Sequence, residues 1–400
     1  MGNNSQLKRE NVLRVLQWVK AGENGITKPE LTAATDLTNT TIQNIIAELE
    51  QRGVVVCEGV SASNGGRKAQ RYALNRSYRY LVGVYLRTNR ITVGVFDYNI
   101  SLLHKSTLRA NLSERSVEET IRIIVEQVLE ALRNWEIPKG LVAGIGINVP
   151  GPVDYEHGRV LTLRGYPGWK SIPLKDQIGR MTGIPTFVDK DVYSGILLLK
   201  WNRTPDTAQN MLYISVEDGI GAAVMVDGKV FRGNHGVAAE IGHIALRGNN
   251  KRCACGNIGC LETMASDFAL LDQARQQGLI APDQEASIED LIALAQSGNS
   301  AMQAIFEETV ACLAVTLRNT YVMYDPDEIA INCRWLQAQQ QLYYKLTDSL
   351  YDDNNLIDRR SVAIRILDIH DFGLKSAAAI VATHEVESMD SSVFAPQPAR

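Results

Sequence analysis

The sequence of 400 residues contains no long apolar run and no strong excess of charge of either sign. A membrane-spanning helix needs about 18–20 consecutive apolar residues, and we find no such stretch. The first ten residues, MGNNSQLKRE, are polar and lack the apolar core of a secretory signal. We therefore expect a cytoplasmic protein without membrane insertion.

Cysteine is scarce, with six residues in the chain, yet Cys253, Cys255 and Cys260 lie close together. In a reducing compartment such a cluster binds metal more often than it forms disulfides. Cys57, Cys312 and Cys333 have no partners in the pattern, which is typical of simple core residues.

The charges divide unevenly along the chain. Residues 1–74 carry nine basic and seven acidic side chains, whereas the remainder carries 32 basic and 38 acidic ones. A mildly positive head on an acidic body is compatible with nucleic-acid binding by the head. On charge alone, an ordinary fluctuation explains the difference equally well.

The pattern of the first 75 residues predicts three short helices followed by a β-hairpin. Apolar residues at helical spacing predict helices over residues 6–21, 28–35 and 39–52, with Gly53 ending the third. Thr27 stands before Pro29 as the N-cap of the second helix. Strand-like residues at 54–56 and 72–74 flank a tip rich in Gly and Ser.

Two short helices joined by a tight turn indicate a helix-turn-helix, whose second helix enters the DNA major groove. The amide and hydroxyl groups that would contact bases and phosphates belong to Asn39, Thr40, Thr41, Gln43 and Asn44. The hairpin tip adds Arg67, Lys68 and Arg71, which completes a winged helix-turn-helix. The alternative, a protein-interaction module with a solvated polar face, leaves the basic wing unexplained.

From residue 80 onward, strands and helices follow one another twice, which predicts two α/β lobes with a cleft between them. We expect strands over 81–86, 91–97, 101–109, 141–149, 184–188, 210–216, 221–226, 229–231, 328–333 and 361–367. We expect helices over 116–134, 191–202, 264–277, 287–297, 299–324, 335–350 and 372–385. The tail from residue 386 has no periodicity and is expected to be disordered.

The strongest local signal is CACGNIGCLE at 253–262, which follows AEIGH at 239–243. The thiolates of Cys253, Cys255 and Cys260 with the imidazole of His243 make a Cys₃His set suited to tetrahedral Zn²⁺. Such a site leaves no open position on the ion, so we expect structural zinc. Buried free cysteines are the weaker alternative at this spacing.

The order of these motifs, with PGPVD at 150–154, resembles the ROK family of repressors, open reading frames and sugar kinases. The resemblance covers about residues 7–385, and the head resembles the repressor branch with its Mlc, NagC and xylose repressors. It implies an α/β fold: a winged helix-turn-helix (1–75) followed by a two-lobed actin-like/hexokinase-type, ribonuclease H-like domain (80–385). It also implies a homodimer or tetramer, operator DNA, and a sugar or sugar-phosphate effector.

The resemblance also assigns a sugar site. The family's Glu-Asn-Asp element aligns with residues 189–191, DKD, so Asp191 is retained and Lys190 replaces the asparagine. In the motif before the zinc loop, Ala239 replaces a glycine. Carboxylates can accept paired hydrogen bonds from vicinal hydroxyls. The expected sugar-binding residues are Asp191, Glu240, His243 and Glu262.

The nucleotide side departs from the family's kinases, whose first phosphate loop reads Asp-x-Gly-Gly-Thr-Lys. The aligned residues 85–90 read YLRTNR, without the aspartate or the glycines. The second loop survives only as EDGIG at 217–221, whose carboxylates would repel a triphosphate. NCR at 332–334 replaces the glycine turn near the adenine. We therefore expect no ATP, no catalytic residues and no phosphoryl transfer.

Three functions remain open at this point. The first is a sugar-responsive DNA-binding regulator, a repressor of genes for carbohydrate uptake or catabolism, with a non-catalytic kinase-like domain. The second is a bifunctional sugar kinase that also binds DNA. The third is a regulator that is sequestered by a partner protein, such as a component of sugar transport.

Overall fold

The structure is a computed structural model that describes the chain apart from residues 1, 23, 61–68, 88, 164, 165, 167, 205, 208, 352–361, 369 and 389–400. The predicted wing residues Arg67 and Lys68 and most of the predicted tail lie outside the described residues. The chain divides into two compact units, unit 1 from residues 1–207 and 373–400, and unit 2 from residues 208–372.

Unit 1 begins with a head of three helices and a small sheet. These elements are α1 (Gly2–Ala21), β1 (Ile26–Thr27), α2 (Lys28–Thr35), α3 (Asn39–Gln51), β2 (Val55–Val60) and β3 (Gln70–Leu74). The Thr27 side chain accepts from Glu30 N while the Glu30 side chain accepts from Thr27 N, which satisfies two free donors at the start of α2. The three strands form an antiparallel sheet in the order β1-β3-β2.

The body of unit 1 is built on a five-stranded sheet. Its elements are β4 (Tyr80–Arg87), β5 (Arg90–Phe96), β6 (Leu102–Arg109), α4 (Val117–Asn134), β7 (Val142–Val149), β8 (Val153–Asp154), β9 (Arg159–Thr162), β10 (Lys170–Ile172), α5 (Leu174–Thr182), β11 (Thr186–Lys190) and α6 (Asp191–Trp201). The strand order is β11-β7-β4-β5-β6, with β11, β7 and β4 parallel. Because α6 follows β11 directly, Asp191 lies at the carboxyl end of this parallel group.

Unit 2 also has a five-stranded sheet, in the order β14-β13-β12-β15-β16. Its elements are β12 (Met211–Val216), β13 (Ile220–Val226), β14 (Lys229–Phe231), α7 (Glu262–Ala265), α8 (Asp267–Gln276), α9 (Ile288–Gln296), α10 (Ser300–Tyr324), β15 (Glu328–Cys333), α11 (Arg334–Ala338), α12 (Gln340–Tyr351) and β16 (Ala363–Ile366). Among the described residues, α10 is long and apolar enough to cross a membrane. Its buried side chains, including Phe306 and Leu313, belong to the core of unit 2.

The last helix, α13 (Phe372–Glu387), returns the chain to unit 1. Residues 377–382 are buried on every side of the helix. A Cβ atom on Gly146 of β7 would lie 1.9 Å from the Ala377 carbonyl oxygen, so only glycine permits this approach of helix to sheet. The helix extends two residues beyond the predicted end, into the segment predicted to be disordered.

Several local expectations differ from the structure. The helix predicted over 264–277 is interrupted at Ser266, whose extended backbone and side-chain oxygen cap α8. The helix predicted over 335–350 is interrupted at Gln339. Cys57 is exposed and is not a core residue, whereas Cys333 is buried as expected. The short strands β1 and β8–β10 and the helix α5 are additional to the predicted elements.

Candidate metal centre and effector site

Four cation-binding side chains converge in unit 2. The donor atoms of His243, Cys253, Cys255 and Cys260 all lie within 4.8 Å of one another. The loop folds back on itself through two isolated antiparallel bridges, one of which pairs Ala245 with Cys260. Gly259 has a φ of +87°, and a Cβ there would lie 2.8 Å from the Asn249 carbonyl oxygen, so glycine is required at this turn.

The chemistry of these donors fits a metal ion. Cys255 Sγ lies 3.7 Å from Cys260 Sγ, and Cys253 Sγ lies 3.7 Å from His243 Nδ1. Ligands about 2.3 Å from a tetrahedral ion lie about 3.8 Å from one another. Burial, together with hydrogen bonding to the neighbouring thiols, raises the pKa of the Cys260 thiol to about 12. Such thiols become thiolates at neutral pH when a cation binds them.

Glu262 begins α7 directly after the donor loop. Its Oε2 accepts a hydrogen bond from Ile220 N at 3.2 Å, and its Oε1 lies 3.8 Å from Cys253 Sγ. A Cβ on Gly219 would lie 2.8 Å from Glu262 Oε2. This glycine therefore leaves room for the carboxylate, and Glu262 links the donor loop to the turn between β12 and β13.

Glu240 lies on the other side of the donor loop, at the start of a short 3₁₀ turn that ends at His243. Its carbonyl oxygen accepts from His243 N at 3.1 Å. The preceding residue, Ala239, has a φ of +60°, and its carbonyl oxygen accepts from Ile241 N at 2.7 Å. The left-handed conformation costs an alanine about 1 kcal/mol, which a glycine would not incur.

Asp191 lies in unit 1, as the first residue of α6. Its Oδ1 accepts from Val192 N at 2.8 Å, and its Oδ2 lies 3.7 Å from Arg87 Nη1. The buried Arg87 donates from Nε to Tyr85 Oη at 2.6 Å, and its guanidinium lies 4.6 Å from the centre of the Tyr85 ring. Lys190 is buried beside Asp191. Asp191 therefore has the buried Arg87 guanidinium as a cationic neighbour.

The segment that aligns with the first phosphate loop is a tight β-hairpin. The pairing of β4 with β5 continues to the end of β4, where Arg87 pairs with Arg90. In the alignment with the first phosphate loop, Arg87 stands where the kinases have a glycine. The sequence prediction missed Arg87 as a site residue, although this replacement of glycine by a cation was the available signal.

Acidic side chains surround the second aligned loop in unit 2. Asn332 Nδ2 donates to Glu217 Oε1 at 2.9 Å, and Arg334 Nη2 lies 2.7 Å from Asp267 Oδ2. Burial raises the pKa of Asp267 to about 7, the Arg334 guanidinium opposes the rise, and Glu217 and Asp218 add to it. The carboxylates of Glu217 and Asp218 thus add negative charge at this loop.

The polar face predicted for α3 is accessible. Asn39, Thr40, Gln43 and Asn44 are exposed, and Thr41 is half-buried. The Thr38 side chain caps the helix by accepting from Thr41 N at 3.2 Å. The opposite face is buried through Ile42, Ile45, Ile46 and Leu49. Arg71, which the sequence placed on the wing, is instead bonded to the Gly25 carbonyl oxygen and is 3.5 Å from Glu30 Oε2.

The predicted residues thus fall into three groups. Glu240, His243, the three cysteines and Glu262 lie on one continuous loop of unit 2, and Asp191 lies with Arg87 in unit 1. The polar set on α3 belongs to the head. Together the two mixed sheets, the His/Cys loop and the preceding helical head define an α/β protein with a loop whose donors could hold a metal ion and with an N-terminal helical module.

Comparison with known proteins identifies the family. A sequence profile of the ROK family matches residues 81–355, so the chain belongs to the ROK family, and the expected family resemblance and α/β fold are confirmed. The chain is 28% identical over 343 residues to the xylose repressor of Caldicellulosiruptor bescii, which covers 83% of this chain and 84% of the repressor.

Similarity extends to both regulators and kinases. The glucokinase of Thermotoga maritima is 28% identical over 313 residues, covering 75% of this chain and 96% of the glucokinase. The crystal structure of a ROK family transcriptional regulator, a homologue of the E. coli Mlc protein, matches with a TM-score of 0.79 and 26% identity. That match covers 95% of this chain and 97% of the regulator.

The strain at Ala239 gives a direct test of the loop geometry. We expect Ala239→Gly to raise the thermal unfolding midpoint, because it removes about 1 kcal/mol of backbone strain. Ala238→Gly is the matched control: its φ is not positive, so added chain freedom should lower the midpoint, at a cost of about 0.5–1 kcal/mol. Calorimetry of the two variants measures both signs. A midpoint for Ala239→Gly below that of the wild type would contradict the assignment.

Proposed function

We propose that this chain is a sugar-responsive transcriptional regulator of the ROK repressor branch, whose kinase-like domain binds a sugar without phosphorylating it. The observation that carries the proposal is the head. The solved regulator matches 95% of the chain, whereas the glucokinase matches 75%. The head, with its exposed amide and hydroxyl side chains on α3, is what a regulator needs and a kinase does not.

We infer that the head is a winged helix-turn-helix with α3 as the recognition helix. The proposed domains are the head at 1–75, the ROK domain at 80–385 and a tail. Two-fold pairing of heads in a homodimer or tetramer would match an operator with half-sites whole helical turns apart. The proposed location is the cytoplasm, and the target genes are those of carbohydrate uptake or catabolism.

We infer that the donor loop holds structural Zn²⁺. Three thiolates and one imidazole suit this ion, and four protein ligands leave no position for a substrate. The ion would supply rigidity to the loop that carries Glu240 and Glu262. Those carboxylates, together with Asp191 of unit 1, are the proposed acceptors for sugar hydroxyls.

We infer that the chain does not transfer phosphoryl groups, because the two aligned loops have unsuitable charge and too little space for phosphates. Phosphoryl transfer depends on positioning the phosphates and neutralising their charge. Here a buried arginine replaces a glycine of the first loop, and the second loop carries Glu217 and Asp218. A bifunctional kinase remains the competing candidate because the glucokinase aligns over 75% of the chain. The last prediction below separates the two.

The first prediction concerns DNA. We expect Asn44→Ala to weaken binding to an operator selected from random DNA by about 1–3 kcal/mol, with little effect on unrelated DNA, because a base contact carries the specificity. Glu50→Ala, exposed at the other end of α3, is the matched control and should bind as the wild type does. Fluorescence anisotropy with both DNAs measures the difference. Unaltered operator affinity of Asn44→Ala and Gln43→Ala would contradict α3 as the recognition helix.

The second prediction concerns the metal. Elemental analysis of freshly purified protein should find about one zinc per chain. Cys255→Ser removes one of the four donors, so the variant should lose the ion and melt at a lower temperature. Cys312 is half-buried and lies outside the cluster, so Cys312→Ser should keep the bound zinc and the wild-type melting temperature. Protein free of metal that melts and responds to sugar normally would refute a structural zinc.

The third prediction concerns the sugar. D-xylose, D-glucose and N-acetyl-D-glucosamine, with the 6-phosphates of the last two, form the panel for calorimetry. For whichever sugar binds the wild type, Asp191→Asn should lower the affinity about tenfold to a hundredfold, since it removes a charged acceptor. Asp176→Asn, in the exposed first turn of α5, should have no effect. A coupled assay with ATP should detect no sugar-dependent ADP. Steady ADP release would establish the bifunctional kinase instead.

A further inference from the structure

The buried helix α6 joins two separate regions of unit 1. Its first residue is the proposed sugar ligand Asp191, and its last is Trp201. A helix of 11 residues is about 16 Å long. Residues 192–199 are all buried. Because protein interiors are close-packed and transmit strain, a displacement at one end of this helix must be accommodated at the other.

The first end of α6 is held by polar contacts that a sugar would disturb. Asp191 is ion-paired with Arg87, and Ser194 Oγ donates to Ser376 Oγ of α13 at 3.2 Å. A sugar hydroxyl that bonds to the Asp191 carboxylate must compete with the Arg87 guanidinium. Sugar binding therefore changes how this end of the helix is anchored.

The other end of α6 contacts the head. Lys20 Nζ lies 4.1 Å from the centre of the Trp201 ring, a cation–π contact. Lys20 is in the last turn of α1, and Trp201 is 6% exposed. Burial, together with the positive charge of the nearby Lys200, lowers the pKa of Lys20 to about 7. Lys20 is thus only partly exposed, at the boundary between head and body.

The head has a second attachment, at the linker after β3. Asn75 Nδ2 donates to the Gly53 carbonyl oxygen of the head at 2.7 Å. Arg76 Nη1 donates to Ser101 Oγ of the body at 3.3 Å, next to the start of β6. This linker is fastened to the edge of the sheet and not to α6. A shift of α6 would therefore move the Lys20–Trp201 contact relative to this linker, and the orientation of the head would change with it.

We propose that Trp201 and Lys20 couple the sugar site to the DNA-binding head, with α6 as the element that transmits the change. Both are positioning residues that touch neither sugar nor DNA. Without sugar, the Arg87–Asp191 pair and the Lys20–Trp201 contact hold α6 and the head in one arrangement. Sugar at Asp191 releases Arg87, shifts α6 and re-aims α3. This inference rests on the function proposed above for Asp191 and α3.

The test measures the ratio of operator dissociation constants with and without saturating sugar in the full chain. D-xylose, D-glucose and N-acetyl-D-glucosamine are the probes. Couplings between allosteric sites are typically about 5–150-fold, and we expect the wild type in that range. Trp201→Leu and Lys20→Met should each bring the ratio to within about twofold of one, while sugar and operator each still bind.

Conservative variants and a control distinguish coupling from stability. Trp201→Phe keeps an aromatic face and Lys20→Arg keeps a cation, so both should retain most of the wild-type ratio. The double variant Trp201→Leu/Lys20→Met should reduce the ratio no more than either single variant does, because the two residues act through one contact. Trp135→Leu, which removes a tryptophan stacked on His104 at 4.6 Å, should leave the ratio unchanged.

Each result has a distinct meaning. A folded Trp201→Leu protein that binds sugar and operator and keeps the wild-type ratio overturns this proposal and leaves the proposed function intact. A wild type that binds none of the sugars, or no operator, overturns the proposed function and this proposal with it. If Trp201→Leu does not fold, the Lys20→Met variant tests the proposal through the same ratio of operator dissociation constants, since Lys20 is partly exposed and its replacement should not prevent folding.

Discussion

The convergence of His243 with three cysteines is the constraint that fixes the positions of the two neighbouring carboxylates in unit 2. Their donor atoms lie within 4.8 Å of one another although they span 18 residues of chain. Glu240 stands three residues before the first donor and Glu262 two residues after the last, so neither can move independently of the cluster. Second-sphere arrangements of this kind orient functional groups near metals. A bound ion would therefore shape sugar recognition without touching the sugar.

Sequence periodicity was sufficient to predict an element where that element is long and amphipathic. The helix predicted over 116–134 is α4, capped by Ser116. By contrast, α5 buries only Leu174, Ile178 and Thr182, too weak a pattern to detect beside Pro173. The donor cluster was predictable because its ligands are close in sequence. The pairing of Arg87 with Asp191 was not predictable, because the two residues are far apart in sequence and only the fold brings them within 3.7 Å.

The Arg87–Asp191 pair joins the segment aligned with the first phosphate loop to the proposed sugar ligand. A glycine at position 87 would leave space, whereas the buried guanidinium both fills that space and supplies charge. Breaking a buried pair exposes each charge to a desolvation penalty unless a new partner replaces the old one. In the proposed sugar complex, hydroxyl groups would replace Arg87 as partners of Asp191, while Arg87 would keep its hydrogen bond to Tyr85.

The return of the chain to unit 1 through α13 also governs how the protein folds as it is synthesised. Unit 2 is contiguous, from residue 208 to 372, and can form its core once that segment has left the ribosome. Unit 1 lacks the helix that covers Gly146 until α13 emerges. From the end of β11 at residue 190 to the end of α13 at residue 387, synthesis at about 5–20 residues per second takes roughly ten to forty seconds. During that interval the apolar face that α13 will cover is open to chaperones, and the head-bearing unit is completed last.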